Sequence, residues 1–235
     1  MRILVYGAGA VGSLLGGKLA RGGDDVMLLG RRPHVEAVLD RGLRIISPEG
    51  EELTVEVGGA SRLPEVLAVW GQPDVVVLTV KGFDTAASAK ELKTFLPPST
   101  PVVSFQNGIG NEEVLADTLG EARVVAGITT ISVSLLEPGK VRQNSSRGGL
   151  GLAPVSAEAS ITGEFAARCR EAGFPVRIYQ DYRAMKWSKV LLNIMGNAVP
   201  ALTASSPASV YEDPRLFRLE RRAFLEALAV MRCQR

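Results

Sequence analysis

Two sets of side chains in this sequence have types and spacings that could do chemistry. In the stretch YRAMKWSKVLLNIMGNAVPALT, Lys189, Asn193 and Asn197 recur at i, i+4 and i+8, which on a helix stacks them in one stripe. Apolar Trp187, Val190, Leu191, Leu192, Ile194 and Met195 surround the stripe, so the helix is expected to be largely buried. Burial desolvates an ammonium, lowers its pKa and makes it a better proton donor near neutral pH. The spacing also allows a stripe that faces solvent or pins two helices together, and Lys186, one turn away on a neighbouring line, is a rival proton donor.

The second set sits where apolar runs end. Ile3-Leu4-Val5-Tyr6 passes into Gly7-Ala8-Gly9-Ala10-Val11-Gly12 and then into a helical pattern from about Ser13. This is the G-x-G-x-x-G dinucleotide fingerprint in its strand-turn-helix setting. Gly7 serves the tight turn, Gly9 the approach of backbone to pyrophosphate, and Gly12 close helix–strand packing, while the helix N-terminus attracts phosphate. The next apolar run, Val26–Leu29, ends in Gly30-Arg31-Arg32 with no carboxylate in place. An acid there would hold the ribose hydroxyl of NAD, whereas arginine suits the 2′-phosphate of NADP, so NADP(H) is expected, with Arg31 ahead of Arg32. A solvated basic pair is the alternative. Lys81 follows Val75–Val80, and Asn107 follows Pro101–Phe105. Open α/β sheets bind ligands outside the carboxyl ends of their strands, so these positions are read as one cleft. His34 is expected on the surface or beside an adenine ring.

The elements that must position these residues follow from pattern. Apolar runs alternating with helical stretches give an α/β, doubly wound, Rossmann-type sheet over residues 1–180. Residues 42–57 read as a β-hairpin turning at Ser47-Pro48-Glu49-Gly50, and 124–152 as further strands that complete the sheet. Helices fit 82–96 and 157–172, and a strand fits 176–179. From 181 to 235 the chain reads as helical, with segments 182–198 and 215–231, and Asp213 followed by Pro214 starts the last helix.

The chain has 235 residues, 46% hydrophobic and 22% charged, with a net charge of +2. That balance gives no general drive toward nucleic acid or anionic membrane. Cys169 and Cys233 have neither metal-ligand spacing nor histidine partners, so no metal is expected and both read as reduced thiols of a cytoplasmic protein. No apolar stretch is long enough to span a membrane.

GAGAVG at the start, TVKGFDT around Lys81, SFQNG around Asn107, EPGKV around Gly139 and WSKVLLNIMGNAVPALT around Lys189 together resemble the ketopantoate reductase (2-dehydropantoate 2-reductase) family. The resemblance runs the length of the chain. It implies NADPH-dependent reduction of ketopantoate to pantoate, in the route to pantothenate and coenzyme A. By motif it implies that Lys189 rather than Lys186 is the catalytic lysine, that Asn193 and Asn197 bind the 2-keto acid, and that Lys81 and Asn107 lie beside the nicotinamide, with Asn107 also on the substrate side. Family members continue for some tens of residues, with a glutamate and a serine that Glu212, Glu220 and Glu226 lie too early to match. The helical domain is therefore expected to be incomplete here, and its apolar final helix to support a homodimer. The wider readings are a dehydrogenase of another 2-keto or 2-hydroxy acid, and a non-catalytic NADP(H)-binding paralogue.

Overall fold

A computed structural model describes residues 1–234. Strand β1 (Arg2–Tyr6) sends Ile3 and Val5 to one face and Leu4 to the other, all fully buried, as a central parallel strand covered on both sides requires. Helix α1 (Ala10–Arg21), β2 (Asp25–Leu29) and α2 (Arg32–Arg41) complete the first crossover. There follow β3 (Leu43–Ile46), β4 (Glu52–Val55), β5 (Gly58–Ala60), α3 (Leu63–Val69), β6 (Val75–Leu78), α4 (Thr85–Phe95), β7 (Val102–Ser104), α5 (Asn111–Leu119) and β8 (Val124–Thr129). The rest comprises β9 (Val133–Glu137), β10 (Lys140–Gln143), β11 (Leu150–Pro154), α6 (Ile161–Glu171), β12 (Val176–Ile178), α7 (Tyr182–Thr203), α8 (Pro207–Glu212) and α9 (Pro214–Cys233).

The main sheet has the order β12-β11-β8-β7-β6-β1-β2-β5. Its strands from β8 to β5 are parallel; β11 runs antiparallel to β8. One core layer unites Ile3, Val5, Leu14, Leu28 and Phe165, and the other unites Leu4, Leu63, Val76, Leu92 and Leu115. The sheet is therefore doubly wound, as expected.

Three features depart from the sequence reading. The 42–57 hairpin forms, as β3 and β4, but it does not stand alone. β10 pairs parallel to β3, giving a separate four-stranded sheet of order β4-β3-β10-β9. Only β8 and β11 of the 124–152 stretch join the main sheet. Short β5, α3 and α8 lacked sufficient periodicity to be read. The third departure is in α7, where Met195 (φ −77°, ψ 85°) and Gly196 (φ +125°, ψ 6°) leave helical space. The cause lies four residues on: in a continuous helix the Pro200 ring would meet the carbonyl of residue 196. Glycine takes the left-handed turn at little cost, and Pro200 then falls in the first turn of a new helical segment.

The chain divides into two compact units, Met1–Tyr182 and Arg183–Arg235. In the second, Asp213 caps α9 by accepting from the backbone N–H of Arg215 at 2.7 Å and of Leu216 at 3.4 Å, with Pro214 behind it. Replacing Asp213 by Ala should lower stability by about 1 kcal/mol, checked by urea unfolding followed at 222 nm.

Candidate dinucleotide and substrate site

The register of the parallel strands brings the strand-end residues to one edge. Tyr6 lies opposite both Leu29 and Leu78, and Leu78 lies opposite Ser104. Gly7, Gly30, Thr79 and Phe105 are thus the first residues past the same rim, followed by Arg31, Lys81 and Asn107 on neighbouring loops. The chain moves from β1 to β2 on one side and later to β6 on the other, so the glycine loop occupies the topological switch point, where such sheets bind ligands.

The glycines differ in what they tolerate. A Cβ on Gly12 would lie 2.5 Å from Thr79 Oγ1 and 2.6 Å from the Gly7 carbonyl oxygen, whereas one on Gly9 would meet nothing nearer than 3.9 Å. Gly12 is therefore a packing glycine, and Gly9 faces open space. Thr79 Oγ1 donates to the Gly7 carbonyl at 2.7 Å, and the N–H groups of Gly7 and Ala8 donate to the Leu29 carbonyl at 2.9 and 2.8 Å. The first bond of α1 runs from Ser13 N–H to Gly9. No side chain caps α1 and its first turn carries no acid, so the N–H groups of Ala10, Val11 and Gly12 suit an anion. The loop residues fit a dinucleotide pyrophosphate.

Arg31 and Arg32 part company. Arg32 Nε donates to Glu36 Oε1 at 2.7 Å along the helix, whereas Arg31 is the exposed N-cap of α2 and has no ion pair among the described residues. Lys81 and Asn107 are both exposed. Beneath them lies a buried polar network. Gln106 Nε2 donates to Thr85 Oγ1 at 2.7 Å and to the Val80 carbonyl at 3.2 Å. The Thr85 hydroxyl shares its proton between the Gly82 carbonyl at 2.7 Å and Asn111 Oδ1 at 3.0 Å. Asn111 Nδ2 donates to the Asn107 carbonyl at 3.1 Å. Thr85, Gln106 and Asn111 thus tie the Lys81 loop to the Asn107 loop. Sequence reasoning gave none of the three a role; apolar Val80, Phe83, Phe105 and Ile109 interrupt both stretches, so no local pattern marked the network.

His34 is buried, not exposed. The Gly139 N–H donates to its Nδ1 at 3.1 Å, so the ring proton sits on Nε2, which donates to Ser13 Oγ at 3.0 Å. Burial holds its pKa below the usual imidazole value.

In the helical unit, Lys189 and Asn193 share the segment that precedes the break in α7, but Asn197 follows Gly196, so the three do not form one continuous stripe. The helix is also less buried than its composition suggests, with Leu192 58% exposed. Lys189 itself is half-buried, and desolvation lowers its pKa from that of a free lysine. Lys186 is nearly fully buried. Burial pushes the Cys169 thiol up to about 12, which removes its thiolate at neutral pH.

The sequence pattern of the ketopantoate reductase PanE/ApbA family matches residues 3–156, and that of its C-terminal region matches 181–235. The chain belongs to the ketopantoate reductase family. It is 34% identical to the 2-dehydropantoate 2-reductase of Pyrococcus abyssi, over 86% of this chain and 64% of that one. To the Halobacterium salinarum 2-dehydropantoate 2-reductase it is 34% identical over 98% of this chain and 75% of that one. The PanE/ApbA family ketopantoate reductase from Ralstonia eutropha JMP134 has a TM-score of 0.87 at 33% identity, over 100% of this chain and 75% of the other. D-mandelate dehydrogenase, solved with NADH and anilino(oxo)acetate, shares the fold at a TM-score of 0.85 and 21% identity. The chain thus spans about two thirds to three quarters of the length of these proteins. Among the described residues no helix is long and apolar enough to cross a membrane.

Two measurements follow from the site geometry. Thr85→Val keeps the volume but leaves the buried Gln106 amide without its hydroxyl acceptor, and should cost about 1–3 kcal/mol, read from thermal melts. His34 supplies the second, as the chain's one histidine. Its folded pKa is lowered, so between that value and the ordinary value of about 6.5 the unfolded chain binds a proton that the folded chain does not. Stability should therefore fall as pH drops below about 6.5 and level off once the folded pKa is passed. Denaturant midpoints across this window, with His34→Gln as control, should show this step only in the wild type.

Proposed function

We propose that this chain carries the nucleotide-binding and lysine-bearing parts of an NADPH-dependent reductase converting 2-dehydropantoate to pantoate. One observation carries the reading: in a member of the ketopantoate reductase family, the uncapped glycine loop, Arg31, Lys81 and Asn107 all leave the same edge of the sheet. Arg31 lacks the carboxylate partner that occupies Arg32, and no acid stands at the end of β2 to favour a free ribose hydroxyl. This supports NADP(H) over NAD(H).

When bound, NADPH supplies a hydride to the ketone carbon. The residues of this chain do the rest. The N–H groups of Ala10, Val11 and Gly12 hold the pyrophosphate, and the Arg31 guanidinium meets the 2′-phosphate. Lys81 and Asn107 line the nicotinamide side of the loop edge, with the Asn107 amide able to serve both cofactor and substrate. The Lys189 ammonium meets the negative charge that grows on the carbonyl oxygen and passes its proton to that oxygen. Partial burial favours this step, because desolvation makes the ammonium readier to give up the proton. Asn193, one turn on, holds the substrate carboxylate or hydroxyl. Asn197 serves as a second substrate-side amide, presented from the segment that begins after the break.

Lys189→Ala should lower kcat by about 10²–10⁴-fold while NADPH affinity stays unchanged, in assays of NADPH absorbance with ketopantoate and a panel of 2-keto acids. Activity untouched by this change would remove the proposed proton donor. Arg31→Ala should weaken NADPH about ten- to a hundredfold, the worth of a charge-assisted hydrogen bond, and leave NADH almost unaltered. Equal binding of the two dinucleotides by the wild type would defeat the 2′-phosphate assignment.

A further inference from the structure

The buried imidazole of His34 links the first turn of α1 to the turn between β9 and β10. Ser13 directly follows Gly12, the last glycine of the phosphate loop, and its hydroxyl accepts from His34 Nε2 at 3.0 Å. Three residues before His34 is Arg31, whose carbonyl accepts from the His34 N–H at 3.0 Å and the Val35 N–H at 3.1 Å. One short path of hydrogen bonds therefore runs from the glycine loop to the backbone of Arg31.

The other ring nitrogen is equally committed. Nδ1 accepts from the Gly139 N–H at 3.1 Å, in the turn between β9 and β10. That turn packs against α2 so closely that a Cβ on Gly139 would lie 3.1 Å from Ala37 Cβ, and its φ of +77° is left-handed. The Gly139 carbonyl in turn accepts from the Arg44 N–H of β3 at 2.9 Å. With a directional bond on each nitrogen, the ring has one orientation, and α2 cannot slide along α1 without breaking at least one bond. An aliphatic residue of the same bulk would fill the space but strand the Gly139 N–H and the Ser13 hydroxyl, each a buried-group penalty.

We infer that His34 is a positioning residue that sets the distance between the pyrophosphate loop and Arg31, and so enforces selection for a dinucleotide bearing a 2′-phosphate. This rests on the assignment of Arg31 to that phosphate. His34 touches no cofactor itself. It acts by fixing where the first turn of α2 places the arginine, while the backbone N–H groups that take the pyrophosphate are independent of it.

The test compares dissociation constants of NADPH and NADH, by fluorescence titration, for the wild type, Ser13→Ala, His34→Leu and His34→Gln, with circular dichroism verifying the fold. Ser13→Ala and His34→Leu should each raise the NADPH constant roughly tenfold and leave the NADH constant within about twofold. His34→Gln, whose amide N–H reaches Ser13, should restore most of the NADPH preference. Unchanged preference in Ser13→Ala and His34→Leu, or equal weakening of both dinucleotides, overturns the positioning role while leaving Arg31 in place. A wild type without preference overturns the Arg31 assignment and the inference together. If His34→Leu fails to fold, Ser13→Ala, which removes a single hydroxyl, decides the matter.

Discussion

The close seat of α1 on the sheet is the constraint on which the other features depend. At Gly12 there is no room for even one carbon between the helix backbone, Thr79 Oγ1 and the Gly7 carbonyl. On the same helix, a Cβ at Gly17 would lie 2.6 Å from Ile45 of the small sheet. The helix is thus held close to the main sheet at its start and close to the small sheet about one and a half turns later. The first contact aims its N–H groups past the rim. The second brings β3, and with it the β9–β10 turn, to where His34 can be gripped from both sides.

Much of this could be read from residue types. β-Branched and aliphatic runs that alternate with helical stretches specified the parallel sheet, and the strand ends followed from where those runs stop. Arg31, Lys81 and Asn107 stood out because each follows a buried strand within two or three residues, at the edge that open α/β sheets use for ligands. The helical C-terminal part and the Asp213 cap were equally local in origin. The register that sets these positions on one rim is a property of pairing between strands, and no single run contains it.

What escaped the sequence was long-range or depended on context. The partnership of β3 with β10 joins segments almost a hundred residues apart, and neither segment carries a mark naming the other. His34 was misplaced because a lone polar ring is read as exposed unless its partners are known, and those partners are a serine on one element and a backbone amide on another. The break in α7 was legible in principle from Gly196 and Pro200 at four-residue spacing. The apolar periodicity on either side masked it, and with it the separation of Asn197 from the Lys189 face. Thr85, Gln106 and Asn111 were hidden for a related reason: each satisfies the others, so none looks unusual alone.

The second sheet also has consequences for the order of assembly. β3–β4 and β9–β10 are local hairpins that can form early, but their parallel union at Arg44 and Lys140 closes a very long loop, whose entropy must be met before the contact returns anything. The intervening strands β6, β7 and β8 shorten that loop once they have paired. The small sheet, the grip on His34 and the final placing of α2 should therefore form last, after the main sheet has condensed. A nascent chain would complete its glycine loop while α2 still lacked its final placing.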